Sequence, residues 1–238
     1  MCRSLFLLLA GSFLLLTVHA QKTIINDPNA EVRPVKGYHG IEVSGGINLY
    51  LSQGEEEAVV VSASNLKWRE HIRTEVVDGI LKISLDQHRW SRGNIKIKAY
   101  VSFTTLDRLT ASGASNVFVD GVITGDRLAI DLSGASDFKG AINVKELRLE
   151  QSGASDSHVT GVVAELAEIH SSGASDVKGY DLTIQNCSVH ASGASDIRVT
   201  VNKELSADLS GASSVFYKGD AVIKDVRSSG ASTVKKSS

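Results

Sequence analysis

Cysteine is nearly missing from this chain: Cys2 lies in an apolar leader and Cys187 stands alone after it. No disulfide can close within a mature protein, so stability has to come from packing. Proline is as scarce, with two residues against 21 glycines, a balance that suits strands and turns rather than long helices. Charge of one sign is also lacking. A formal net charge of −2 argues against nucleic acid as a partner. The one apolar run, Leu5 to Leu16, is too short for a comfortable membrane span, and no second run follows.

That run reads instead as a signal peptide over residues 1–20. Arg3 supplies the positive start, and Val18-His19-Ala20 a small-residue cleavage site before Gln21. The mature chain is expected to be secreted or periplasmic, with no transmembrane segment once the leader is cleaved. Residues 21–36 are polar, carry both prolines and read as a lead-in. Residues 37–105 form an N-terminal β region, with strands at Val59 to Val61, Leu81 to Leu85 and Ile95 to Ile97. A short helix is expected over Asn65 to Ile72 with Asn65 as its N-cap, and Asp78-Gly79 marks a tight turn.

Residues 106–238 are periodic. Ser-Gly-Ala-Ser begins at Ser112, Ser133, Ser152, Ser172, Ser192, Ser210 and Ser229, at intervals of 21, 19, 20, 20, 18 and 19. Three residues before each copy stand Leu109, Ile130, Leu149, Ile169, Val189, Ala207 and Val226; five after stand Val117, Phe138, Ser157, Val177, Ile197, Val215 and Val234. The rows are eight residues apart, so strand alternation stays in phase through the tetrapeptide. A helix-pair repeat needs about 33 residues and a leucine-rich repeat needs its own Leu spacing. The fold class is therefore all-β: a right-handed parallel β-helix of about seven C-terminal coils, continuous with the N-terminal region as one domain. Parity places the second Ser of each copy inside as a hydroxyl ladder. It places Gly113, Gly134, Gly153, Gly173, Gly193, Gly211 and Gly230 inside as well, at a narrow corner.

The run from Ile41 to Leu51, with Gly46-Ile47-Asn48 at its centre, followed by the Ser-Gly-Ala-Ser-Asp array, resembles the head GIN domain of auto-transporter adhesins. The resemblance covers residues 37–234. It implies a bacterial secreted or periplasmic protein with a right-handed β-helix, and it carries over no catalytic residue and no cofactor.

Outward rows are the candidate sites. After each tetrapeptide come Asp137, Asp156, Asp176 and Asp196; two residues on come Lys139, His158, Lys178 and Arg198. Stacked carboxylates repel by roughly 1–3 kcal/mol per pair, which the neighbouring cations offset. The plain reading is a charge-balanced solvated surface, and the sharper one a face for a polar ligand such as a glycan. A second row holds Glu150, His170, His190 and Asp208, with zinc-compatible chemistry. Cys187 falls at the inward parity with Leu128, Leu147 and Leu205, as a structural thiol. Small, regular faces suit a non-catalytic binding or adhesion-type protein that contacts polysaccharide or an envelope protein. A polysaccharide lyase or hydrolase and a structural assembly module are the alternatives.

Overall fold

The computed structural model describes residues 27–86 and 95–237; the leader, and with it the expected cleavage site, lies outside the described residues. In chain order come β1 (Glu31–Arg33), β2 (Gly40–Val43), β3 (Ile47–Gln53), β4 (Ala58–Ala63), α1 (Leu66–Arg69), β5 (Ile72–Val77), β6 (Ile80–Leu85), β7 (Ile97–Phe103) and β8 (Arg108–Ala111). The periodic half supplies β9 (Asn116–Leu132), β10 (Asp137–Gln151), β11 (Asp156–Ser171), β12 (Asp176–Ala191) and β13 (Asp196–Leu209). It closes with β14 (Ser214–Lys218), β15 (Val222–Ser228) and β16 (Thr233–Lys236).

These strands wind as a parallel β-solenoid of about six turns. Each long strand bends once, so its two halves join different stacks. The first halves of β9 to β13 continue β3 and lead to β14 and β16, while their second halves continue β8 and lead to β15. The row from Leu109 through Ile130, Leu149 and Ile169 to Val189 is in register from coil to coil, each residue no more than 1 % exposed. Burying one such aliphatic side chain contributes about 1.5–3 kcal/mol. The coil intervals differ, yet register stays unbroken on both sides of Ser-Gly-Ala-Ser. Shifts fall farther round the coil, as between Lys139 and Ala141, His158 and Gly161, or Gly179 and Thr183.

Each tetrapeptide forms a corner with two sets of bonds. From Ser133 onward the second serine, buried in every copy but the last, donates back to the carbonyl of the first, as Ser155 Oγ does to Ser152 O at 2.9 Å. The alanine amide donates to the glycine carbonyl one coil earlier, as Ala154 N does to Gly134 O at 2.8 Å. The glycines correct the parity expectation: they are exposed at the outside of the corner rather than inside. Alternation breaks there because their φ is positive, +78° at Gly153, and a Cβ at that residue would sit 2.5 Å from Gly134 O. Stacked backbone, rather than a crowded core, demands glycine. The same corner recurs earlier: Ser112 N bonds Val43 O, Ile47 N bonds Ser115 Oγ, and Asn48 pairs with Asn116. Ser44 to Asn48 is thus the first member of the column.

The two ends differ. At the N-terminal end β5 and β6 form an antiparallel hairpin about Asp78 and Gly79, whose φ values are +51° and +75°; both residues are left-handed, as a type I′ turn requires. The helix is shorter than expected. Asn65 caps it, accepting from Lys67 N at 3.0 Å, but it stops at Arg69, and Ile72 is buried in β5. Trp68 packs against the core, and β1, within the expected lead-in, pairs antiparallel with β4. At the other end the core rows run out, leaving Ile223 and Val226 each 40 % exposed.

Gly153→Val should destabilise by more than about 3 kcal/mol, since the clash is with backbone at a left-handed φ. Asp137→Ala on the outer surface should stay within about 0.5 kcal/mol. Denaturant midpoints of the two variants check this, and equal midpoints would refute the corner assignment.

Candidate ligand-binding groove

The end of one strand half and the start of the corner build a concavity. Just before each tetrapeptide the chain presents an outward side chain, then an inward one, then the first serine. Stacked from coil to coil these become a wall, a floor and a second wall. Thr110, Asp131, Glu150, His170, His190 and Asp208 form one wall, paired rung to rung. Ser133, Ser152, Ser172, Ser192 and Ser210 form the other. Leu132, Gln151, Ser171 and Ala191 make the floor. The groove encloses about 660 Å³, and six rungs at ~4.8 Å make it about 24 Å long.

Its electrostatics are uneven along its length. Asp131 is half-buried, and burial together with the charge of Glu150 holds its carboxyl above the ordinary value. Glu150 goes the other way, held low by a hydrogen bond from Arg148. His170 and His190 stack face to face, ring centroids 4.8 Å apart and 20° from parallel. Both rings therefore turn their edges, which carry the nitrogens, sideways. Glu150, His170, His190 and Asp208 are neighbours as the sequence suggested, yet they stand side by side on consecutive rungs rather than converging. Among the described residues no group of three or more His, Cys, Asp or Glu side chains is placed to hold a metal ion.

The Asp and cation rows lie beyond the corner and contribute nothing to the groove lining. Asp137, Asp156, Asp176 and Asp196 pair in register, as do Lys139, His158, Lys178 and Arg198. Lys178 Nζ lies 3.3 Å from Asp156 of the preceding coil, and Arg198 lies 3.1 Å from Asp196 of its own. Asp156 Oδ1 also accepts from the amide of Asp176 at 3.2 Å. These bonds balance the carboxylate ladder, at the modest strength of exposed pairs. The same cation row continues toward the N-terminus as three stacked rings, Tyr100, Tyr50 and Phe118, with centroids 5.1 and 5.3 Å apart. The sequence hid this stack because Tyr50 and Tyr100 precede the repeat. Cys187 sits in its expected inward row between Ala167 and Leu205, and burial pushes its thiol up to about 12.

Two outcomes follow. Cys187 should resist a thiol-reactive dye in the folded protein and label fully in denaturant; rapid native labelling would contradict its burial. The raised Asp131 carboxyl favours its neutral form in the fold. Its contribution is present below the ordinary carboxylate range and lost as pH rises through the folded value. Asp131→Asn should therefore melt higher than the parent at pH 7, and the gap should close below about pH 4, as read by melting temperature against pH.

No curated protein sequence matches the chain. Solved structures do, and they establish the fold. A putative adhesin from Bacteroides fragilis shares 22 % identity at a TM-score of 0.82, over 87 % of this chain and 96 % of that one. A protein described as a putative lipid binding protein from Parabacteroides distasonis shares 19 % at 0.68, over 89 % and 98 %. A putative adhesin from the same species shares 20 % at 0.67, over 87 % and 96 %. A family profile described as putative auto-transporter adhesin, head GIN domain, matches residues 37–221. That span takes in the first corner, which carries Gly46-Ile47-Asn48, and stops at the threshold of the last coil, and the chain belongs to this putative auto-transporter adhesin, head GIN domain family.

Proposed function

We propose that this protein is a non-catalytic, adhesin-type binding protein of the cell exterior or envelope, and that it holds a polysaccharide chain lengthwise in the groove. The observation that carries the reading is a continuous concave row of hydrogen-bonding groups, one set per coil, over about 24 Å. Serine hydroxyls and imidazoles both donate and accept, while carboxylates accept. A glycan offers hydroxyls of both kinds on every residue along its length. An extended peptide fits less well, since its side chains recur on one face every ~6.6 Å, out of step with rungs ~4.8 Å apart. An acyl chain would need an apolar lining, and both walls here are polar or charged. The family's adhesin description supports a binding role. The leader read from residues 1–20 supports export, and among the described residues no helix is long and apolar enough to cross a membrane.

The test is a polysaccharide panel followed by calorimetry on the best ligand. A double variant, His170→Ala with His190→Ala, should weaken binding at least about tenfold, as expected for losing two hydrogen-bonding groups at ~1 kcal/mol each. Lys178→Ala on the opposite side of the corner should leave affinity unchanged. Binding to no polysaccharide, or equal losses from both variants, would overturn the proposal.

A further inference from the structure

The C-terminal end of the solenoid is built like its middle but covered like a surface. β15 pairs with β13 alone and β16 with β14 alone, so among the described residues each presents an unpaired edge along the rod axis. Val226 continues the row of Val189 and Ala207, which are 0 % and 4 % exposed, yet it is 40 % exposed. Ile223 is 40 % exposed beside Leu205 at 0 %, and Val222 is 62 % exposed. An unterminated stack of this kind needs a polar cap or a covering partner. The N-terminal end also has edge strands, β1 beside β4 and β5 beside β6, with Val32 70 % exposed. Trp68 of α1 packs on the core there, and Glu31 and Arg33 of the edge strand β1 are both tied to Arg69.

Joining two C-terminal ends, like to like, closes a dimer rather than growing a filament. The sequence of β15 suits that symmetry. If β15 runs antiparallel to its own copy with Val226 at the centre, Val226 meets Val226 on the inward side. On the outward side Asp225 meets Arg227 of the second copy, twice over. Opposite charges directly across an antiparallel pair are favourable, and these two residues already pair within one chain at 3.3 Å. Val234, in the inward row of the other stack, lies the same number of residues past Gly230 as Val226 lies before it.

We propose that two copies of this chain join through their C-terminal ends about a two-fold axis through Val226 and Val234, with β15 and β16 each pairing antiparallel with itself. The two sheets then run unbroken through the join. β15 has seven residues and β16 four, so with sheets ~10 Å apart the end face is about 350 Å² per copy once outward side chains are counted. The total of about 700 Å² is below the usual size of a specific interface, so the dimer should be weak and reversible.

Sedimentation velocity on the mature chain from about 1 to 100 µM, the range of a modest interface, tests it. The parent should shift from monomer to dimer across that range. Asp225→Arg, which sets Arg against Arg, should weaken the dimer at least about tenfold, and adding Arg227→Asp should restore it. Val226→Cys should give a disulfide-linked dimer under mild oxidation, since the two sulfurs would meet at the axis while Cys187 is buried. All of these positions are exposed in the last coil, so an unchanged melting temperature serves as the folding control. A parent that stays monomeric throughout would overturn the proposal in favour of another occupant. So would a charge reversal without effect, or a double swap that fails to rescue.

Discussion

One hydrogen bond sets the architecture: the alanine amide of each corner reaching the glycine carbonyl of the coil before it. At 2.7–2.8 Å in every copy from Ala135 to Ala231, it brings consecutive corners so close that no side chain fits between them. Glycine is required there, and its left-handed φ turns the chain through the bend. The buried serine then returns its hydroxyl to the start of the corner and satisfies a carbonyl that would otherwise be orphaned. Neighbouring strands are held in register on both sides, and every outward row inherits that register. Variation in coil length is absorbed farther round the coil, where the ladder can slip.

From one period the molecule thus makes two surfaces of different character. Past the corner, Asp and cation rows stand level with each other and neutralise each other, giving a flat and well-solvated face. Before the corner, the strand end and the first serine flank a floor of small or inward side chains, and the surface is concave. Identical spacing with unequal curvature is what separates a surface that merely dissolves from one that can enclose a chain molecule. The concave side is where contact with an elongated ligand would gain the most buried area.

Much of this was legible in the primary structure, because alternation in a solenoid is a direct record of what points in. Leu149, Val177 and Cys187 lie where parity put them. Parity failed at the glycines, since a residue with positive φ does not continue the two-residue alternation. The groove was not legible for the same reason: row order along a strand is a matter of sequence, but curvature depends on dihedral angles at the corner. Glu150, His170, His190 and Asp208 could be recognised as a row, though not as one wall of a trough. The helix fell short because Ile72 gains more by entering the core in β5 than by extending a single turn. The first corner escaped notice because Gly46 and Ile47 replace Ala and Ser, although Ile41 and Leu49 hold the flanking apolar positions.

Contacts in a stack of this kind are made almost wholly with the coil above and the coil below. Excising or duplicating one winding would disturb only its immediate neighbours, and the identical corners would reseal across the seam. The trough is thereby a ruler graduated in whole windings, so a lineage or an engineer could lengthen or shorten it without redesigning any single contact.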